Sequence, residues 1–542
     1  MAGALYALGF PSSVTPALVF APPLALALLL TVWAPKRKEQ TLRKQIQLLL
    51  PFCLGAYVAG YYWLAFTLKE FGQIPFPANH LLGIALSVLL MPHFWAFLLL
   101  RKLFVVLSQR FPRLSPPPSY RLPLAALGLT LLESFIPQQF PAHLGHSWIT
   151  LAPFLGLAPI FGAPLFSFMS AYGGLALAHF FSTKRADPSF IWALALFLAA
   201  NAFFPLPPYR GGEIELSTRI VQANIGSALK VAAEKGFEGA NTYIENRYRH
   251  LSLKESAKPL DLIIWPETAV PNPLNSHLIA RGRKGWPPFI EEVIRGSRAQ
   301  MAVGVYDSTG SSRPHLPPYF ESEYNALFHI GRDGELKGRY RKHRLIPFGE
   351  TMPFGPLNPF LSKVFVHVSF FARGDGLPLF VLDGGARFIP AICYEILFPR
   401  FINRYLDHVE SRGGGRPHFI LNLTNDSWYG PTSEPHQHLF LSRWRALETG
   451  LPVIRSTNTG ITSVLYPDGS RSKSMGVGEE GVLDLTLSLG ESRATPYGRY
   501  GLGLSLAAMV WICGLPLFLG FFLGFLRRRF GGFGSFGRKS LF

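Results

Sequence analysis

Cysteine is scarce in this chain: three residues in 542, at positions 53, 393 and 513. Cys53 and Cys513 lie in long apolar runs, which leaves the central polar stretch with the single thiol of Cys393. A disulfide framework is thereby excluded, and so is an internal bridge in that stretch even in an oxidising compartment. The chain has no Cys-x-x-Cys, no His-Glu-x-x-His and no Walker phosphate loop, so neither a metal nor a nucleotide cofactor is expected. Acidic charge is also short, with 33 Asp and Glu against 52 Lys and Arg. No basic stretch is interleaved with aromatics in a recognisable fold, so the excess points to anionic lipid and membrane topology rather than to nucleic acid. There is no internal repeat.

What is abundant is apolar sequence: 49% of residues are hydrophobic and the mean hydropathy is +0.22. Roughly 20 residues cross a bilayer core, and runs near 14–33, 45–68, 80–100, 122–136, 158–181, 190–204 and 502–526 are read as spans, the fourth and sixth short enough to need tilt or shielding. The first lacks a basic leading region, so it reads as a retained anchor rather than a cleaved signal. Basic residues gather in alternate loops: Lys36, Arg37, Lys38, Arg43 and Lys44; Arg101, Lys102, Arg110 and Arg113; Lys184 and Arg185; and Arg527 to Arg529. The intervening loops carry only Lys69 in 69–79 and no Lys or Arg in 137–149. The positive-inside rule places the basic loops and the C-terminus in the cytoplasm, with the long central stretch on the other side. The expected organisation is a helical membrane domain at 1–206, an extracytoplasmic domain at 207–498, a final span at 499–526, and a basic Gly- and Phe-rich tail at 527–542.

Within the central domain, strand-like runs near 219–225, 260–266, 300–306, 324–330, 388–393 and 417–423 alternate with helical stretches near 232–253, 288–298 and 436–449. Alternation of this kind argues for an α/β sandwich. Three apolar runs end on or lead to titratable residues: Leu262-Ile-Ile-Trp-Pro-Glu267, Tyr340-Arg-Lys342, and Arg387-Phe-Ile-Pro-Ala-Ile-Cys393. A thiol to attack a carbonyl, a carboxylate to take and return its proton, and an ammonium to face the oxyanion make a complete acyl-transfer set. A neutral thiol is a weak nucleophile, so Glu267 is read as its base and Lys342 as the cation. Taken singly, each has a blander reading: a buried core cysteine, a helix-start carboxylate, one charge of a solvated turn. His436 and His438 read as structural, Gly413 to Gly415 as a surface turn, and the Asn422-Leu-Thr424 sequon as chance within a strand.

The wording around the three residues tips the balance. Trp265-Pro-Glu-Thr-Ala, Tyr-x-Lys-x-Arg-Leu-x-Pro-Phe-Gly-Glu350 and Ile-Cys-Tyr-Glu395 occur in that order, followed by Asn425-Asp-Ser-Trp-Tyr-Gly430, Arg443-Trp-Arg-Ala-Leu-Glu448 and Arg455-Ser-Thr-Asn-Thr-Gly-Ile461, with Val221-Gln-Ala-Asn-Ile225 ahead of them. These strings resemble the nitrilase superfamily and, within it, the membrane-bound apolipoprotein N-acyltransferase branch, over nearly all of residues 217–470. The resemblance implies an αββα nitrilase sandwich joined to a polytopic helical membrane domain in the bacterial inner membrane, with its catalytic domain on the periplasmic side. It implies Glu267, Lys342 and Cys393 as catalytic triad, Glu350 as the glutamate that holds the lysine, and Tyr394 and Glu395 as surroundings of the nucleophile. By the same analogy, Cys393 takes a fatty acyl chain from a phospholipid and passes it to the α-amino group of a diacylglyceryl-cysteine on an apolipoprotein. Val231 departs from the family, which has a tryptophan after the residue matching Lys230, and residues 1–13 look shortened by one span. The Phe-rich stretch 352–371 is read as an apolar arm over the site, and Trp63, Glu133 and Trp148 as a frame for lateral lipid access. Two rival functions are a membrane-tethered amidase or nitrilase, in which water takes the acyl group, and a non-enzymatic scaffold, which the intact triad opposes.

Orientation is directly testable. A reporter active only outside the cytoplasm should report when fused near Gly310 and stay silent after Arg529; the reverse pattern would overturn the membrane topology.

Overall fold

The computed structural model describes residues 1–33, 42–70, 72–114, 116–309, 323–347, 349–351, 371–491 and 493–515. Among them the central domain has strands β1 (Ile214–Gln222), β2 (Leu262–Trp265), β3 (Gln300–Ser308), β4 (Glu323–Ile330), β5 (Leu336–Arg341), β6 (Phe380–Val381), β7 (Arg387–Ile392), β8 (Phe419–Thr424), β9 (Val453–Thr457), β10 (Ser463–Leu465) and β11 (Gly481–Leu489). They form two sheets, ordered β11-β1-β2-β3-β4-β5 and β10-β9-β8-β7-β6. Each has a parallel centre, β1-β2-β3 and β7-β8-β9, flanked by antiparallel strands.

Side-chain alternation explains the layering. Leu262, Ile264, Ala302 and Leu327 join the cluster that also holds Phe388, Ile389, Ile420 and Ile454 of the second sheet. Their neighbours Ile263, Trp265, Met301, Val303 and Phe328 point the other way, into a cluster with Ile244, Tyr248, Ile290 and Val293 from helices Glu238–Ser252 and Pro288–Ser297. A strand buried on both faces has no polar alternation, which is why these strands read as continuous apolar runs. Helices Pro399–Ser411 and Glu434–Thr449 cover the second sheet, completing an αββα sandwich. Each fully buried aliphatic side chain in it contributes about 1.5–3 kcal/mol.

Each of the seven expected spans overlaps a helix, but less simply than the sequence suggested: residues 14–20 are not helical, and residues 516–526 of the last span lie outside the described residues. Among the described residues one helix, Ala158–Thr183, is long and apolar enough to cross a membrane, or up to three if each bent pair is one span. The expected 45–68 span bends by 70° before Trp63–Glu70, where a π-helical turn, Tyr57–Tyr61, interrupts the ladder. The expected 80–100 span is split as Ala78–Leu89 and Pro92–Arg110, bent by 47°, with Pro92 opening the second piece. Among the described residues, apolar helices at Ala21–Val32 and Pro188–Phe203 are shorter, and a further apolar helix is described from Leu502 to Leu515. Of the expected access frame, Glu133 accepts the Leu144 N–H at 2.7 Å and so caps a short 3-10 helix, and the Trp148 indole donates to Ser170 Oγ at 2.8 Å inside the helical core. Trp63 alone faces the sandwich, its indole donating to Gln437 Oε1 at 3.2 Å.

Helix Glu434–Thr449 fastens the two parts together. The Gly60 carbonyl, at the π-turn, accepts from Ser433 Oγ at 2.8 Å and Gln437 Nε2 at 2.9 Å. Trp444 donates to the His146 carbonyl at 3.0 Å, and Glu448 Oε1 accepts the Ala163 N–H at 2.9 Å.

Candidate active site

The sandwich brings the sequence-predicted residues together at strand ends. Glu267 follows β2, Lys342 follows β5 and Cys393 follows β7; all three are buried, Lys342 completely. Lys342 Nζ donates to Glu267 Oε1 at 3.2 Å and to Glu350 Oε1 at 2.9 Å. Asn325, on β4, makes the same two contacts from its side-chain amide, at 2.7 and 2.9 Å. Two carboxylates thus share two donors. The outer oxygens are held by backbone, Glu267 Oε2 by the Asn425 N–H at 2.8 Å and Glu350 Oε2 by the Ile346 N–H at 2.9 Å.

Two carboxylates around one ammonium leave a net negative charge beside the thiol. Burial opposes the charge on Lys342, but Glu267, Glu350 and Cys393 together hold it well above the ordinary lysine value. For Cys393, burial first and then the negative charge of Glu267 push the thiol well up, with Lys342 opposing only in part. The cation therefore does not give a standing thiolate. Burial and Glu267 together favour the neutral thiol at Cys393.

Cys393 has φ +54°, a left-handed conformation that costs a non-glycine residue about 1–3 kcal/mol unless its surroundings enforce it. Two side chains enforce it. Glu395 turns back to accept the Ile392 N–H at 2.8 Å, the Tyr340 hydroxyl at 2.8 Å and the N–H groups of His343 and Arg344 at 2.8 and 2.9 Å, tying the lysine loop to the cysteine loop. Asn422 donates to the carbonyls of Ala391 and Cys393 at 2.9 and 3.1 Å. The Asn422 sequon is accordingly buried within β8. Tyr394 donates to the Leu345 carbonyl at 2.7 Å, and its ring lies 5.9 Å from Lys342 Nζ.

Sequence reasoning missed the polar residues behind these. Ala391, Asn422 and Arg455 stand side by side across β7, β8 and β9. Arg455 donates to Asn422 Oδ1 and Asp426 Oδ2, each at 2.9 Å, so it fixes the amide that holds the nucleophile's carbonyl. Asp426, Glu434 and His438 bring one potential metal-ligand atom each within 4.8 Å of one another. Arg455 already supplies Asp426 with a cation. Burial, then the charge of Asp426, pushes Glu434 well up, and burial, then Arg455, pushes His438 down, so the cluster balances as one Asp–Arg pair with two neutral partners. Lys230, buried on helix Ser227–Glu234, donates to Thr268 Oγ1 beside Glu267; Val231 next to it is half-buried. The stretch 352–370 of the expected arm lies outside the described residues; Phe371 at its end stacks on Tyr306 at 5.5 Å. The signals for the missed residues were present only as the strings Asn425–Gly430 and Arg455–Ile461, whose polar members carry no chemistry of their own.

The chain matches two family descriptions: carbon-nitrogen hydrolase over residues 217–497 and the apolipoprotein N-acyltransferase N-terminal domain over residues 2–176. It is 33% identical to the apolipoprotein N-acyltransferase of Bdellovibrio bacteriovorus over 76% of this chain and 74% of that protein. This chain belongs to the apolipoprotein N-acyltransferase family. Relatives of the same name in Geobacter metallireducens, 29% identical over 95% of this chain and 92% of that one, and in Photobacterium profundum, 28% identical over 97% and 96%, show that the match extends through both the helical part and the sandwich. As a member of that family the chain is an acyltransferase of lipoprotein maturation.

The neutral thiol has a measurable consequence. Alkylation of Cys393 by iodoacetamide in the resting enzyme, followed on its tryptic peptide, should be slow at neutral pH and keep rising with pH beyond the usual thiol range near 8.5. A rate already on its plateau at pH 7 would mean a standing thiolate.

Proposed function

We propose that this enzyme moves a fatty acyl chain from a phospholipid to the α-amino group of an N-terminal diacylglyceryl-cysteine, through a thioester on Cys393. The observation that carries this reading is the buried thiol of Cys393, the one cysteine of the central domain, set against a Glu–Lys–Glu cluster, with burial and then Glu267 favouring its protonated form.

In the first half-reaction Cys393 Sγ attacks the acyl ester carbonyl while Glu267 takes the thiol proton. The new C–S bond pushes an electron pair onto the carbonyl oxygen, which faces the Lys342 ammonium. Collapse breaks the C–O bond to glycerol, and Glu267 returns the proton to the departing oxygen, releasing a lysophospholipid. In the second half the lipoprotein amine attacks the thioester carbonyl and Glu267 accepts the amine proton. The sulfur then leaves and is reprotonated. Glu350 and Asn325 hold Lys342 and Glu267 in register, and Glu395 and Tyr394 hold the loops that carry the lysine and the cysteine. Water in place of the amine would give the hydrolase reading.

Charge in the loops supports a multi-pass protein of the bacterial inner membrane with the sandwich on the periplasmic side. Helix Glu434–Thr449, shared between the site and the helical part, keeps the thiol at the membrane face where both lipid substrates reside. The domain limits that accompany this reading are 1–206, 207–498, 499–526 and 527–542.

Mass spectrometry of lipoprotein N-termini in cells that depend on this chain tests the assignment. The wild-type protein should give N-acylated termini. Glu267→Gln, Lys342→Met and Cys393→Ala, present in the membrane at normal levels, should leave the α-amine free, with turnover lowered by at least about 10²–10³-fold. Normal N-acylation by any of the three would remove that residue from the mechanism.

A further inference from the structure

Lys342 leads outward to the surface through a short column of rings. Its ammonium lies 5.9 Å from the Tyr394 ring, Tyr394 meets Phe398 edge-on at 5.0 Å, and the Arg344 guanidinium lies over Phe398 at 3.8 Å. Arg344 is exposed and only two residues from Lys342, and its backbone N–H is fixed by Glu395 at 2.9 Å. Two further guanidiniums occupy the same sector on helix Pro399–Ser411. Arg404 lies 5.9 Å from the Phe401 ring, which also packs on His343 at 6.1 Å. Arg400 lies 4.4 Å over Phe135, at the end of helix Pro118–Phe135 of the helical part.

None of the three guanidiniums has a hydrogen-bond or carboxylate partner among the described residues. Arg400 and Arg404 are moreover one helical turn apart, a like-charge pair that destabilises a helix unless an anion lies nearby. Stacking on an aromatic ring holds a guanidinium in one plane and leaves its N–H edges free, the arrangement suited to bidentate recognition of phosphate. The cluster lies beside the seam between sandwich and helical part and one ring column from Lys342, on the side of the molecule where a glycerophospholipid would have to present its headgroup if its acyl ester reached the site. In such a lipid the phosphate is joined to the scissile acyl esters through the three carbons of glycerol.

Resting on the thioester reading above, we propose that Arg344, Arg400 and Arg404 form the subsite for the phosphate diester of the acyl donor, so that the enzyme selects phospholipids over neutral glycerolipids carrying the same acyl chains. The site recognises phosphate, not a particular headgroup.

The test is acylation of Cys393 in the full-length enzyme in detergent micelles, with phosphatidylglycerol or a diacylglycerol of identical chains as donor. The wild-type enzyme should form the adduct faster with the phospholipid. Arg344→Gln, alone and with Arg400→Gln and Arg404→Gln, should raise the KM for phospholipid about tenfold or more while leaving the diacylglycerol reaction unchanged. Inorganic phosphate should inhibit the phospholipid reaction only weakly, because a free ion lacks the tethered acyl chain. Equal inhibition at low phosphate concentration would assign the arginines to free phosphate and overturn the proposal. Equal losses on both donors, no loss on either, or a defect confined to discharge by a lipopeptide amine would also overturn it. Absence of any adduct on Cys393 from either donor in the wild-type enzyme would instead overturn the thioester reading on which the proposal rests.

Discussion

The site depends on one electrostatic arrangement: a single ammonium, Lys342, buried between two carboxylates. Burying any of these charges alone would be prohibitive, and the cluster is tolerable because every charge has a partner at hydrogen-bond distance. Burial, and then the negative charge of Glu267, favour the neutral form of the neighbouring thiol, with Lys342 opposing only in part. A neutral buried thiol is a poor nucleophile and a poor target for oxidation. In the proposed mechanism such a site waits for a substrate carbonyl, whereupon Glu267 accepts the proton and Lys342 meets the charge that develops on oxygen.

Geometry is imposed by residues that do no chemistry. Glu395 uses both carboxylate oxygens to tie the strand end at Ile392 to the loop after β5, so the loops that carry Cys393 and Lys342 are joined directly. Arg455, Asn422 and the Cys393 carbonyl form a second tie across three parallel strands, with Asp426 fixing the arginine. The helix behind that tie is the one that bonds the opened carbonyl at Gly60 and the helical part at His146 and Ala163. The candidate site and the helical part are thereby connected by direct hydrogen bonds.

How far this was legible in the sequence follows from what each residue has to do. Glu267, Lys342 and Cys393 could be read because a titratable residue closing an apolar strand is chemically conspicuous, and the six expected strands all appear within a few residues. The short strands β6, β9 and β10 and helix Pro399–Ser411 were not expected, since they are brief or strongly amphipathic and lack a long apolar run. Asn325 was invisible because a neutral amide in the middle of a strand has no distinguishing pattern. Its role arises only when β4 pairs with β5 and places it opposite the lysine loop. The bends near Tyr57–Tyr61 and Pro92 were missed because a hydropathy window sums composition and is blind to a change of axis. Glu133, read as functional because it is an ionisable residue in an apolar run, caps a short 3-10 helix through one of its carboxylate oxygens.

The central claim is that the acyl chain rests on Cys393 between two substrates, and the most direct measurement is the mass of its tryptic peptide after the enzyme has met phospholipid alone. The account predicts a fatty acyl increment that hydroxylamine removes and that a diacylglyceryl peptide with a free α-amine discharges, whereas one with an acetylated amine does not. An unmodified Cys393 peptide, or an adduct that water clears as fast as the amine, would contradict it.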